Sequence, residues 1–243
     1  MKKYVTVGIL VLVCVLFTGC TKKETDELVM VTEAGFAPYE YYKGQEIVGV
    51  DIDIAKEIAA AMDKKLVVKD VAFDSIVNEI RTGKADFAAA GMSITPEREK
   101  QVDFSIEYAT SKQVVMVRED SSIHTEKDLH GKKIAVQLGT IADTYVSKTY
   151  RDSTLIQQKK YLSAIEDLKR GKVDCVVMDS LPAEEVLKTN TGLKLLEEPL
   201  FTDQYGMIVK KGNTELLKEI NQVLERLMKN KKIEAYTISH LNS

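Results

Sequence analysis

The charged side chains best suited to binding chemistry stand at the ends of two similar segments. RTGKADFAAAGMS, residues 81–93, leads to Arg98, and KRGKVDCVVMDS, residues 169–180, ends at Asp179 and Ser180. A guanidinium matches the two oxygens of a carboxylate with a planar fork of N–H donors. Taken alone, however, Arg98 could be a solvated charge on a helix, and Asp179 could be the N-cap of the next helix.

Both segments have the pattern of a helix end, a glycine turn and a short apolar strand. Strands and helices alternate around them in two series, which predicts an α/β protein with largely parallel sheets in two lobes. Each lobe contains one copy of the pattern. Ligands of such sheets bind beyond the carboxyl ends of the strands, so the two segment ends are expected to face each other across a cleft.

Composition narrows the possible functions. The chain has 243 residues, of which 44% are hydrophobic and 29% charged, as in a folded globular protein. Its formal net charge of −3 gives no reason to expect general affinity for nucleic acid or anionic lipid. The three histidines, His124, His130 and His240, lie outside the motifs of the predicted site and form no metal or triad pattern. We therefore predict no metal, no cofactor and no catalytic residue.

The N-terminus has the plan of a secretory signal. MKK is followed by the apolar run YVTVGILVLVCVLF and then by TGC. This ending resembles a bacterial lipoprotein signal, although Phe17 replaces the usual leucine three places before the cysteine. The resemblance implies a signal peptide over residues 1–19, a Cys20 lipidated with palmitate, and a tether over residues 20–27. An uncleaved membrane-spanning helix is the alternative, and both put the rest of the chain outside the cytoplasmic membrane.

Motifs along the chain carry a family resemblance. They include TEAGFAPYEY (32–41), IVGVDIDIAKEIA (47–59), GKADFAAAGMSITPEREKQVDFS (83–105), DLHGKKIAVQLGT (128–140) and YGMIVKKGN (205–213). In order and spacing the chain resembles the solute-binding proteins of polar amino-acid ABC importers, bacterial solute-binding protein family 3. The resemblance implies the type II periplasmic binding protein fold, in which two Rossmann-like α/β lobes are joined by a two-strand hinge.

The same resemblance implies domain boundaries and a function. The first lobe would comprise residues 26–107 and 206–243, the second residues 113–200, and the hinge strands residues 108–112 and 201–205. The protein would capture a free amino acid in the interlobe cleft and deliver it to an ABC permease at the outer face of the bacterial cytoplasmic membrane. It would act as a monomer.

The polar groups of an amino acid suggest roles for four residues. By resemblance, Arg98 would bind the ligand carboxylate and Asp179 the ammonium group. Ser93 and Thr140 would add hydroxyl groups, and Thr140 also stands at a helix start, where backbone N–H groups favour anions.

Further residues would shape the cavity. Ala90 and Gly91 would let the ligand approach the backbone, and Phe36 and Phe73 would enclose its alkyl part, although either ring alone is more often core. Gln137 occupies a position that varies with the ligand. The complete predicted set is Glu33, Phe36, Phe73, Ala90, Gly91, Ser93, Arg98, Gln137, Thr140 and Asp179.

The prediction of which ligand side chain the site prefers depends on Glu33. This residue matches a position where relatives that bind basic or amide amino acids often have an acid. An acid there favours a ligand with donor groups and disfavours glutamate and aspartate. We predict arginine or lysine ahead of glutamine or histidine. The alternative is that Glu33 is a solvated carboxylate at the end of a strand.

Two other functions stay open at this point. A periplasmic dehydratase that acts on aromatic precursors has the same fold, which is analogy at the level of fold alone. The extracellular sensing domain of a receptor is the other alternative. The binding protein is preferred to the enzyme because the charges of an amino acid account for both Arg98 and Asp179.

Overall fold

A computed structural model describes residues 26–242 of the chain. The predicted signal peptide and the lipidation site at Cys20 lie outside these residues. Within the described part, no helix is both long enough and apolar enough to cross a membrane.

Ten strands and helices make up the first part of the described chain. They are β1 (Glu27–Thr32), β2 (Tyr41–Lys43), β3 (Glu46–Val48), α1 (Val50–Ala61), β4 (Lys65–Asp70), α2 (Ile76–Arg81), β5 (Phe87–Ala88), α3 (Pro96–Glu99), β6 (Val102–Phe104) and β7 (Ala109–Arg118). A 3₁₀ turn at Phe73–Ser75 precedes α2.

The second part begins with a 3₁₀ turn at Glu126–Leu129. Its strands and helices are β8 (Lys133–Gln137), α4 (Ile141–Thr149), β9 (Thr154–Gln158), α5 (Tyr161–Lys169), β10 (Cys175–Asp179), α6 (Ser180–Thr189), β11 (Leu193–Leu195), β12 (Phe201–Tyr205), β13 (Ile208–Lys210), α7 (Thr214–Lys229) and α8 (Lys232–Leu241).

The strands form one main sheet in each lobe. The first sheet has the order β4-β1-β5-β13-β6, and the second has the order β11-β7-β10-β8-β9 with β12 beside β7. β1 runs parallel to β4 and β5, and β8 runs parallel to β9 and β10. This is the α/β architecture that the sequence predicts.

The sheets are mixed, so the prediction of largely parallel sheets is wrong in part. β13 pairs antiparallel with β5 and β6, and β7 pairs antiparallel with β10, β11 and β12. These strands join their sheets where the chain passes from one lobe to the other, and not through a parallel βαβ crossover. The predicted hinge residues 108–112 and 201–205 fall within the paired stretch of β7 and β12, or immediately before it.

Apolar stripes on the helices explain why these elements pack. On α7, Leu216, Ile220, Leu224 and Leu227 recur at helical spacing and are buried. α3 begins as predicted: Thr95 accepts a hydrogen bond from the Arg98 backbone N–H, and proline occupies the first turn. These packed elements hold the carboxyl ends of β1, β5, β8 and β10 in fixed positions at the cleft.

The first of the two similar segments departs from its prediction. Its strand, β5, contains only Phe87 and Ala88, and the chain then continues irregularly through Gly91 to Ser93. Gly91 has a φ of +51°, which favours glycine, and a Cβ there would lie 2.6 Å from the Phe36 ring. The turn brings the backbone of residues 90–93 against that ring.

Candidate ligand-binding site

A narrow cavity lies between the two lobes. Every member of the predicted set lines it except Arg98, which lies beside it. Glu40, Ile141 and Tyr161 also line it and were not predicted. The complete lining is Glu33, Phe36, Glu40, Phe73, Ala90, Gly91, Ser93, Gln137, Thr140, Ile141, Tyr161 and Asp179.

Arg98 connects the lobes at the edge of the cavity. Its Nη1 donates to the Ser93 carbonyl at 2.6 Å, and its Nη2 donates to the Gly139 carbonyl at 3.0 Å. Its Cζ stands 5.5 Å from the centre of the Phe73 ring. Burial lowers the pKa of Arg98 to about 10, so the group is charged at neutral pH. Since a guanidinium has further N–H groups, it can hold both carbonyls and also bind an anion.

Asp179 ends β10 with its carboxylate inside the protein. Its Oδ1 accepts hydrogen bonds from Ser111 at 2.8 Å and Gln113 at 2.6 Å, and also from the Tyr205 hydroxyl. Its side chain makes no capping hydrogen bond to α6, so the alternative of a capping carboxylate is wrong. Burial, with a smaller effect of nearby Asp203, raises the pKa of Asp179 to about 7. A cation brought into the cavity would favour its ionised form.

Asp203 on β12 is a second acid in this region. The Ser93 Oγ donates to its Oδ2 at 2.5 Å, so the predicted ligand hydroxyl of Ser93 already has an acceptor. Burial raises the pKa of Asp203, while the hydrogen bond from Ser93 opposes that shift. Sequence reasoning placed Asp203 only within a hinge strand. The alternation of side chains along the strand FTDQY, in which Asp203 and Tyr205 share the buried face, was the available signal that it points inward.

Glu33 is 2% exposed, so the alternative of a solvated carboxylate is wrong. Its Oε2 accepts from Gln137 Nε2 at 3.3 Å, which joins the two lobes. Among residues 26–242, Oε1 has no hydrogen-bond partner, although Lys160 Nζ lies 3.5 Å away. Burial raises the pKa of Glu33. A buried acceptor without a donor leaves a place for a donor on a ligand.

Two further acids belong to this region: Glu40 lines the cavity, and Asp51 lies behind its wall. Glu40 is 1% exposed, and its Oε2 also lacks a hydrogen-bond partner within the described residues. Burial raises the pKa of Glu40 well above its ordinary value, and the charge of Asp51 adds to the rise. Asp51 accepts from the Gly91 backbone N–H at 3.1 Å and from the Tyr108 hydroxyl at 2.8 Å. Asp51 therefore fixes the backbone that forms one wall.

Aromatic rings form the apolar walls. Phe36 stacks between Tyr39, with ring centres 5.9 Å apart, and Tyr161, with ring centres 5.8 Å apart. Tyr161 is 3% exposed, and its hydroxyl has no hydrogen-bond partner in the part of the chain that the structure describes. Phe73 lies under Arg98. Phe36, Phe73 and Tyr161 thus give the cavity its apolar lining.

Thr140 lines the cavity, and its hydroxyl group also makes hydrogen bonds within the second lobe. Its hydroxyl donates to the Gln137 carbonyl at 2.8 Å and accepts from the Asp143 backbone N–H at 3.2 Å, where it caps α4. The hydroxyl hydrogen is thus already in use. Thr140 borders the cavity mainly as the start of a helix.

A family model matches residues 28–242, almost the whole described chain. The chain belongs to the bacterial extracellular solute-binding proteins, family 3. Over 247 aligned residues it is 30% identical to the arginine-binding extracellular protein ArtP of Bacillus subtilis (strain 168), covering 96% of each protein. The description of the family and the name of ArtP are those of binding proteins.

Solved structures of amino-acid-binding proteins agree with the fold. Holo ArgBP from T. maritima has a TM-score of 0.81 and 40% identity, with 84% of this chain and 91% of that one covered. The substrate-binding protein AbpA from Streptococcus pneumoniae, bound to L-arginine, has a TM-score of 0.86 and 29% identity over 89% and 95% of the two chains. The type II periplasmic binding protein fold is therefore confirmed.

The cavity of this family member is acidic. Two cations, Arg98 and Lys160, lie close to its walls, and carboxyl groups outnumber them. No group of three or more His, Cys, Asp or Glu side chains within residues 26–242 is arranged to hold a metal ion. Glu33, Glu40 and Asp179 line the cavity, and Asp51 and Asp203 are hydrogen-bonded to residues of its wall.

Proposed function

We propose that this protein is the solute-binding component of an ABC importer and that its ligand is a basic amino acid, arginine or lysine. The observation that carries the proposal is the Oε1 atom of Glu33. It is a buried carboxylate oxygen without a hydrogen-bond donor among the described residues, on the wall of a cavity that also contains Asp179 and borders Arg98. A donor-bearing, cationic side chain satisfies this oxygen, whereas the carboxylate of glutamate or aspartate would be repelled.

Each charged group of the ligand has a partner in this proposal. The carboxylate accepts from the N–H groups of Arg98, and the ammonium group donates to Asp179. The alkyl chain lies along Phe36, and the side-chain cation reaches Glu33. Structural relatives bound to arginine and a relative named as arginine-binding support this choice.

Binding would act through closure of the lobes. Arg98 and Glu33 stand on the first lobe, and Asp179 and Gln137 on the second. A ligand that touches both sides binds the closed form more tightly than the open form, and therefore shifts the population toward closure. The closed protein is then the form that an ABC permease would receive.

A ligand screen tests the proposal. Arginine, lysine, ornithine, histidine, glutamine, citrulline and glutamate are added to the purified protein in a thermal-shift assay, followed by calorimetry. Arginine or lysine is expected to raise the melting temperature most, because saturation at a hundred times Kd adds about 2.7 kcal/mol to the stability. Arg98→Ala is expected to lose this response. Tight binding of glutamate, with none of arginine, lysine, histidine or glutamine, would contradict the proposal.

We also propose that the protein is exported and held at the outer face of the cytoplasmic membrane by a lipid on Cys20, and that it works as a monomer. The motif FTGC supports the anchor. Cells that express the chain are expected to incorporate labelled palmitate into it, and Cys20→Ser is expected to abolish the label. An equally labelled variant would contradict the anchor. Light scattering of the protein in detergent measures its molar mass and so tests whether it is a monomer.

A further inference from the structure

Lys160 places a second cation beside the acid that would bind the ligand side chain. It belongs to the second lobe, immediately before α5, and its Nζ lies 3.5 Å from Glu33 Oε1 and 3.9 Å from Asp70 Oδ2 on the first lobe. The distance to Glu33 exceeds the usual range for an N–H···O hydrogen bond. Lys160 thus neutralises Glu33 in part and leaves its oxygen open to another donor.

Exposure separates the two ends of this ion pair. The side chain of Lys160 is 50% exposed, whereas that of Glu33 is 3% exposed. The Lys160 side chain therefore keeps part of its hydration, and a ligand cation enclosed in the cavity is the better placed hydrogen-bond partner of Glu33.

Asp70 on the first lobe also faces Lys160, and gives it a second acidic partner besides Glu33. Its Oδ1 accepts from the Ala34 backbone N–H at 2.9 Å, and its Oδ2 accepts from the Tyr42 hydroxyl at 3.2 Å. These bonds fix the carboxylate that faces Lys160. A basic ligand would consequently meet a second positive charge at close range, and a neutral ligand of the same shape would not.

We propose that Lys160 is a specificity-determining residue that weakens the preference of the site for cationic side chains. The inference rests on the proposed function. Repulsion from Lys160 raises the free energy of bound arginine relative to bound citrulline, the neutral analogue of nearly identical shape. The residue thereby broadens the range of ligands toward neutral amino acids such as glutamine.

Calorimetry on Lys160→Met with arginine and citrulline tests the role. The ratio of the citrulline Kd to the arginine Kd is expected to rise about 3- to 10-fold over that of the wild type. Glu33→Gln is expected to lower the same ratio. A merely structural role for Lys160 would weaken both ligands together and leave the ratio unchanged.

Lys159→Met is the matched control, since it removes the same charge from the neighbouring exposed residue. Its ratio is expected to stay at the wild-type value. A ratio for Lys160→Met equal to that of wild type and of Lys159→Met would overturn the inference. If the wild-type protein bound neither arginine nor lysine, the proposed function would fail first, so the two failures are distinguishable.

Discussion

At the scale of single residues, the site is built from acids that the fold keeps away from water. Asp179 is the clearest case, because three side-chain donors converge on one of its oxygens and burial still raises its pKa from 3.8 to about 7. Desolvation therefore outweighs these hydrogen bonds. The positive charge of a ligand ammonium group would stabilise the ionised form of Asp179, which the three neutral donors do not stabilise enough on their own.

This balance predicts a pH dependence of binding. A ligand ammonium prefers the ionised form of Asp179, so arginine affinity is expected to fall as the pH is lowered from about 8 to about 5, by up to about tenfold per unit below the pKa. The stability of the ligand-free protein depends on pH in the opposite direction, because protonated Asp179 favours the folded state. This contribution to the free energy of unfolding is full below pH 3.8 and is lost as the pH rises through about 7.

Calorimetry in buffers of different ionisation enthalpy measures the proton that binding releases. Thermal melts of ligand-free wild type and Asp179→Asn measure the contribution of Asp179 to stability. The melting temperature of the asparagine variant is expected to exceed that of wild type most above pH 7. Glu33, Glu40, Asp51 and Asp203 shift in the same direction, so the variant is needed to isolate Asp179. Arginine affinity that stays constant from pH 5 to pH 8 would show that Asp179 is ionised before the ligand arrives.

At the scale of elements, the order of strands and helices was predictable because their patterns are local. The stripe on α7 and the Thr95 cap of α3 each depend on residues within a few positions of one another. Pairing was less predictable. The antiparallel pairing of β7 and β13 depends on where the chain crosses between the lobes, and the hydrophobic pattern of a strand does not show this.

The same distinction separates the predicted site residues from those that were missed. Glu33 and Asp179 stand at strand ends within motifs, so pattern and resemblance found them. Asp203 was missed because its contact is not local: it accepts a hydrogen bond from Ser93, which is 110 residues away in the sequence. Glu40 and Tyr161 reach the cavity through packing that the sequence did not reveal. The assignment of the site residues to ligand contacts, and the exact lobe boundaries, stay predictions.

At the scale of the whole molecule, the lobes are in contact across the cleft. Arg98 reaches the Gly139 carbonyl, and Gln137 reaches Glu33. Gly139 stands so close to Asp74 of the first lobe that a Cβ on it would lie 3.1 Å from the Asp74 Cβ and 3.2 Å from its Cα. Neither atom is the end of a flexible side chain, so the backbone at Asp74 or Gly139 must give by a few tenths of an ångström to admit a methyl group.

This contact predicts a variant that impairs closure without impairing folding. Gly139 has a φ of +81°, so alanine there costs about 1 kcal/mol of backbone strain. Gly131, on the same lobe, has a φ of +71°, and a Cβ added to it would meet no described atom within 4 Å, so Gly131→Ala carries the strain alone. Without ligand, the melting temperatures of both variants are expected to fall by the same amount. Only Gly139→Ala is expected to raise the arginine Kd, by about tenfold, which is a change of about 1.4 kcal/mol. Calorimetry and thermal melts on the pair measure both quantities, and equal Kd values would mean that the ligand does not require the lobes to meet at Gly139.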